Sequence, residues 1–440
     1  MEVGRDLKLI GTGRSNNPNP HAAGTEAAQR AAGLLLPGDG PSWGLLFCGG
    51  KHDPIGVLAG LRRVVGPIPM VGGSAAGAMT ASGFGYSGLE VAVALFPASL
   101  GDPIILVDDG LANEIVNGEA SPGVGGAGGE QVGGELAAGR RLGHRLRGIA
   151  DDGRVVLLFY DSVASTAPPR LHPGSLLVAG IYEGLGDCRP HLVGAGTLTD
   201  MNLSDGYVFD GTRPKKHAAV AVVLPAGFGA ETTILHGCVP VSSFMEITRI
   251  EGAEVLELDG RPALDVLEAM LGIDVGEDQG RALSLMVTLG EKYGDRYADY
   301  DENRYVNRLI LRITPERRSI TLFEPDFHLG STVQIMSRDN QLMVQSVREG
   351  VHQMNERFAG RRNECPAGRR PMLALYLDCA GRASARSGSE IEEAEVLLDT
   401  IGLDAPLIGF YSGVEIAPVN DGCSRPLDWT AVLTVLHRDG

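Results

Sequence analysis

Leu45-Leu46-Phe47-Cys48, then Asp53-Pro54 opening a stretch that Gly66 closes, then Pro69-Met70-Val71-Gly72, decide the reading of the fold. A short apolar run between turn residues reads as a buried strand. Asp53 is placed to cap a helix, Pro54 to occupy its first turn and Gly66 to stop it. Strand, helix and strand together imply a right-handed parallel crossover. A third apolar run, Leu89 to Leu95, follows after a polar loop.

The pattern recurs twice. Val155-Val156-Leu157-Leu158-Phe159 is followed by Pro190-His191-Leu192-Val193-Gly194 and by Ala218 to Leu224. Leu373-Ala374-Leu375-Tyr376-Leu377 is followed by Pro406-Leu407-Ile408-Gly409 and by Thr430 to Leu436. In this last unit Ser387 and Glu390 have the spacing of a capping box. Ile391, Ala394, Leu398 and Ile401 would share one helix face, with Gly402 as the stop. The region between differs. Ala263 to Gly272 predicts a helix. Tyr305 to Ile313, Ser319 to Phe323 and Thr332 to Met336 predict strands, and Asp339 to Phe358 a second helix. The expected class is α/β to α+β, with repeated strand-helix-strand units forming mixed, mostly parallel sheets in two lobes. The expected segments are a strand and helix over 1–35, one domain over 36–260 and another over 261–440.

Composition narrows the function. There are 38 Lys+Arg against 55 Asp+Glu, a net charge of −17, which argues against nucleic-acid binding. No apolar stretch approaches the ~20 residues of a membrane span, and the first residues lack a signal-peptide core. Six dispersed cysteines with no CxxC read as reduced thiols. A soluble, cytoplasmic protein is expected. Eight of the 62 glycines lie between Gly118 and Gly134, which includes a formal GxGxxG at Gly123, Gly125 and Gly128. Without a strand before it and a helix after it, this reads as a loop and not a dinucleotide site.

Ligands in α/β sheets collect at strand C-terminal ends. Gly72, Gly194 and Gly409 each precede a polar loop there, so they mark a shared site or simply permit tight turns and close packing. Ser74 lies in GxSxxG where a nucleophile elbow has GxSxG. It reads as a polar residue presented by a turn. Nucleophilic catalysis by Ser74 or Cys379 is an alternative. No HxxxH or HExxH suggests a metal site. Haem ligation has candidates in Cys365-Pro366 and in His191, His217 or His236. For an amino acid, Arg382 supplies a cation for the carboxylate and Glu415 an anion for the ammonium. Ser74 and the Gly72-Gly73 turn would do equivalent work in the first unit. The plainer reading is an Arg382–Glu415 salt bridge between loops.

Several blocks carry a resemblance. They are Gly11-Thr12-Gly13-Arg14-Ser15-Asn16, Val71-Gly72-Gly73-Ser74-Ala75-Ala76-Gly77, and His236-Gly237-Cys238-Val239-Pro240. Glu257 to Ala263, Cys379-Ala380-Gly381-Arg382 and Gly409 to Pro418 complete the series. In order and spacing the chain resembles the FIST family of sensory proteins, with an N-terminal domain over 36–260 and a C-terminal domain over 261–440. The resemblance implies a non-enzymatic sensor of a small ligand, amino acids being one ligand class. It would act in trans on a histidine kinase or a cyclic-nucleotide signalling protein. The ligand-binding residues would be Gly73, Ser74, Arg382, Tyr411 and Glu415, with no resident cofactor. A haem-bearing nitric-oxide sensor and a hydrolase-like enzyme are the alternatives.

Overall fold

The computed structural model describes residues 9–112, 133–166, 169–272, 286–364, 369–419 and 422–438. The GxGxxG block and Cys365-Pro366 lie outside them. Strand (40%) outweighs helix (26%), so sheets and not crossover helices organise the molecule. Each repeated unit is built alike. A parallel pair forms between its first and second strands: Pro41–Gly49 with Met70–Ala75, Val155–Asp161 with His191–Thr197, and Arg370–Cys379 with Leu407–Ser412. These are the parallel pairings among the described residues; every other pairing there is antiparallel. The mostly parallel, two-lobed arrangement expected from sequence is therefore overturned. The apolar runs are the crossover strands, but most of their neighbours are hairpin strands.

On one side of each pair stands the unit's third strand: Val91–Pro97, Ala219–Val223 or Ala431–Arg438. Beyond it lies an outer strand: Gly11–Ser15, Ile104–Asp108 or Phe228–Leu235. On the other side stands a hairpin that belongs to a different unit. The first unit's hairpin, Gly77–Thr80 and Gly83–Gly85, joins the third unit's sheet. The second unit's, Val208–Gly211 and Pro214–Lys215, joins the first sheet. The third unit's, Glu415–Pro418 and Ser424–Leu427, joins the second sheet. Three six-stranded sheets result, linked in a ring by exchanged hairpins.

The three sheets share one core. Alternate residues of the first strands, such as Leu45, Phe47, Leu157, Phe159, Leu375 and Leu377, face inward, as a period of two requires. Phe47 stacks on Phe410 at 4.1 Å and meets Phe159 edge-on at 5.6 Å. The residues between them face a helix pair outside each sheet. The pairs are Pro20–Ala32 with Pro54–Val65, Gly134–Leu146 with Gly174–Leu185, and Asn340–Glu364 with Glu393–Thr400. Asp53 caps Pro54–Val65 through the N–H groups of Ile55 and Gly56, and Gly66 ends it at φ 79°. The expected capping box at Ser387 does not form. A short helix takes Ser384–Ser387, and the helix proper starts at Glu393, leaving Ile391 47% exposed.

Six further strands close an antiparallel barrel. In order around it run Met245–Glu251, Glu254–Leu258, Ser319–Leu322, Tyr305–Thr314, Val287–Lys292 and Thr332–Arg338, which pairs back to the first. Ala263–Leu271 packs Leu264 and Leu267 against its apolar core. In sequence the barrel falls between the third unit's outer strand and its first helix. Among the described residues no helix is long and apolar enough to cross a membrane.

Candidate site at the open strand end

Gly72, Gly194 and Gly409 occupy equivalent places, but inside strands and not in turns. A Cβ there would lie 2.5 Å from Leu46 O, 1.8 Å from Leu158 O and 2.4 Å from Tyr376 O. Each glycine thus admits the carbonyl of the parallel neighbour. The residues two positions on are Ser74, Gly196 and Tyr411, and these three equivalents meet different fates.

Ser74 is fully buried in its strand. Its N–H donates to Tyr207 O at 3.0 Å, and its Oγ accepts from Tyr207 N–H at 3.1 Å. The hydroxyl is held by the exchanged segment from the second unit and is not presented by a turn. A Cβ on Gly73 would meet Tyr207 O at 2.5 Å. Beside them, burial pushes the Cys48 thiol up to about 12.

Tyr411 fills its own strand end. Its hydroxyl donates to Glu392 at 2.8 Å, and its ring meets Tyr86 edge-on at 5.5 Å. Arg382 is 1% exposed. Its guanidinium donates to Glu393 through two N–H groups, at 2.9 and 2.7 Å, and to the carbonyls of His236 and Trp429. The salt bridge weighed from sequence is thus replaced: Glu393, and not Glu415, is the partner of Arg382. Asp378 stands 3.4 Å away on the other flank. Burial pushes the Cys379 thiol well above its ordinary value, which leaves it un-ionised.

Glu415 is fully buried and meets Ser412 Oγ at 2.6 Å, while its second oxygen has no hydrogen-bond partner. Ser412 has one proton and also lies 3.1 Å from Asp378 O. If that proton goes to the carbonyl, Glu415 must donate the other bond and is a neutral acid. Burial, the largest cause, raises its pKa from 4.5 to about 8. A carboxyl raised on folding stabilises the protein while protonated, fully below 4.5, and the contribution is lost as pH rises through about 8. The thermal midpoint is expected to fall across that window, by the equivalent of a few kcal/mol on the order of magnitude. Glu415→Gln should flatten the fall, and an unchanged pH profile in the variant would refute the assignment.

Gly196 leaves room at the second strand end for the Ser162 and Tyr160 hydroxyls. A cavity of about 10 Å³, the room of about one water, lies there. Tyr160 and Ser162 line it, and their buried hydroxyls have only each other as polar neighbours. Glycines stand around both. A Cβ on Gly196 would lie 2.0 Å from Ser162 Oγ, one on Gly413 2.7 Å from the same atom, and one on Gly174 2.6 Å from the Tyr160 hydroxyl. Leu171, Leu203 and Phe323 supply apolar walls, and Gly413-Val414 arrive from the third unit. His172 closes one side. Its Nδ1 pairs with Glu135 at 2.7 Å and its Nε2 with His217 Nδ1 at 3.0 Å. Asp161 accepts the N–H groups of Val163 and His217. None of these pocket residues was singled out from sequence as a ligand contact. The usable signal was the comparison of the three units two residues beyond the shared glycine.

The histidines considered for haem all make protein contacts. His191 Nε2 meets Thr232 Oγ1 at 2.8 Å, and burial pushes its pKa down to about 4. His217 belongs to the pair just described. His236 Nδ1 accepts from Cys238 N–H at 2.9 Å, which puts a neutral ring's proton on Nε2. Among the described residues no group of three or more His, Cys, Asp or Glu side chains could hold a metal ion.

Comparison with known proteins places two domain models on the chain. The FIST N domain matches residues 42–261 and the FIST C domain residues 263–418. A protein of Mycobacterium tuberculosis, described as uncharacterized, is 27% identical over 248 residues, 56% of this chain and 57% of that protein. One of Mycobacterium bovis, likewise uncharacterized, is 25% identical over 247 residues with the same coverage. The match thus spans little more than half the length of either relative.

Proposed function

Since the chain belongs to the FIST family, a sensory family of signal transduction, we propose that it is a non-enzymatic sensor whose ligand binds at the open strand end beside Gly196. The ligand is an amino acid or a molecule of similar size, which pushes the walls of the small cavity apart on entry, and the response is read by a separate signalling protein. One observation carries this reading: the buried hydroxyls of Tyr160 and Ser162 meet at a small cavity and have no polar partner there but each other. Buried polar groups are nearly always paired. A hydroxyl can donate to a carboxylate or accept from an ammonium, and Leu171, Leu203 and Phe323 suit an apolar remainder.

A thermal-shift screen of free amino acids tests it, with Tyr160→Phe and Ser162→Ala alongside. In the absence of ligand each variant should lose about 1–3 kcal/mol, because it leaves the other buried hydroxyl without its neighbour. An amino acid that raises the parent's midpoint should lose its effect in both. No response to any amino acid from the folded parent would count against the ligand class. An undiminished response in both variants would count against the pocket.

A further inference from the structure

The helix Gly174–Leu185 begins after Pro173, which offers no capping side chain. The cap comes from the barrel, about 150 residues away in sequence. Glu324, 2% exposed, accepts from Gly174 N–H at 3.0 Å, Ser175 N–H at 3.0 Å and the Ser175 hydroxyl at 2.6 Å. A carboxylate there also complements the helix dipole. Its neighbour Phe323 lines the pocket. Both follow directly on the barrel strand Ser319–Leu322.

Two residues further, Asp326 takes two N–H groups of Arg308, at 2.6 and 2.5 Å. Arg308 sits in the barrel strand Tyr305–Thr314. Asp326 also accepts from Arg425, in the hairpin that the third unit lends to the second sheet. Three residues within a stretch of four therefore touch the pocket, the start of the helix, the barrel wall and an exchanged hairpin. The far side of the contact is equally short. Leu171 and His172 line the pocket just before the capped Gly174.

We infer that residues 323–326 carry the occupancy of this pocket to the barrel, with Glu324 as the positioning residue. The inference rests on the ligand-pocket reading above. A molecule set against the Tyr160 hydroxyl presses on Phe323. Phe323 shifts only with Glu324, whose carboxylate then leaves the Gly174 and Ser175 donors. A buried carboxylate stripped of its donors is costly, so the segment has two seatings and no continuum between them. Filled and empty pockets favour different ones.

The test needs no ligand. Leu171→Trp and, separately, Leu203→Phe fill the pocket from its lining, and hydrogen exchange is followed on the full chain. Exchange is expected to rise about tenfold or more at the start of the helix and in barrel strands 305–314 and 319–322. In a Glu324→Gln background, filling the pocket should leave the barrel strands at that variant's own level. Parent-like exchange in the barrel of both filled proteins would overturn the inference. So would an undiminished rise in the Gln background. Because the pocket is filled by mutation, failure here leaves the amino-acid screen untouched, and failure of the screen leaves this result standing.

Discussion

Arg382→Ala should lose 3–5 kcal/mol of folding stability, about the cost of stripping one partner from a buried ion pair, or fail to accumulate as folded protein. The change leaves both oxygens of Glu393 and the carbonyls of His236 and Trp429 without their donors, in a region fully closed to solvent. Arg382→Lys should rescue little, because an ammonium cannot reproduce the two-pronged contact with Glu393. Urea unfolding checks both. A ligand-contacting arginine behaves differently: its loss abolishes a ligand response and leaves the fold intact. An Arg382→Ala protein with parent stability would therefore refute the structural role assigned here.

Gly194→Ala is expected to cost at least about 3 kcal/mol, at the upper end for overpacking. Its Cβ would stand 1.8 Å from the Leu158 carbonyl oxygen, an atom fixed by the parallel pair and unable to turn aside. Gly40 provides the contrast, since a Cβ there meets nothing within 4 Å. Gly40→Ala should be neutral or stabilising by up to about 1 kcal/mol, through the unfolded chain. Thermal denaturation of the two variants separates packing from conformational freedom. Equal midpoints would mean that the strand pair relaxes around the added methyl.

Much of the architecture was legible because parallel crossovers need long apolar runs with helix signals between them. The three runs and the Asp53, Pro54 and Gly66 signals were enough to place each unit's paired strands. What they could not convey is which sheet a following hairpin joins. Gly77–Thr80 is four residues long and pairs with Ile408 to Tyr411, more than 300 residues away. Nothing local in Gly-Ala-Met-Thr specifies that partner. The barrel was half legible. Tyr305–Thr314, Ser319–Leu322 and Thr332–Arg338 match expected strands. Met245–Glu251, with its alternating charges, gave no comparable apolar signal.

The site was less legible for a related reason. Arg382 and Glu415 carry the charges that ligand recognition asks for, yet the fold pairs the first with Glu393 and burial pushes the pKa of the second up to about 8. Sequence shows the charge but not the neighbour that neutralises it. Gly196 attracted no notice because its contribution is the absence of a side chain. That absence matters only beside Ser74 and Tyr411 at the same place in the other two units.

The ring of exchanged hairpins bears on how the chain reaches its native state. The first sheet waits for residues 208–215, the second for residues 415–427. The third waits for a segment made long before it, residues 77–85. During synthesis the earliest hairpin must therefore stay unpaired at its docking edge until the strand Leu407–Ser412 has emerged. Contacts of such long range slow folding, and no unit can be finished in isolation. The chain closes like an interlocked clasp, in which the last piece to arrive secures the first.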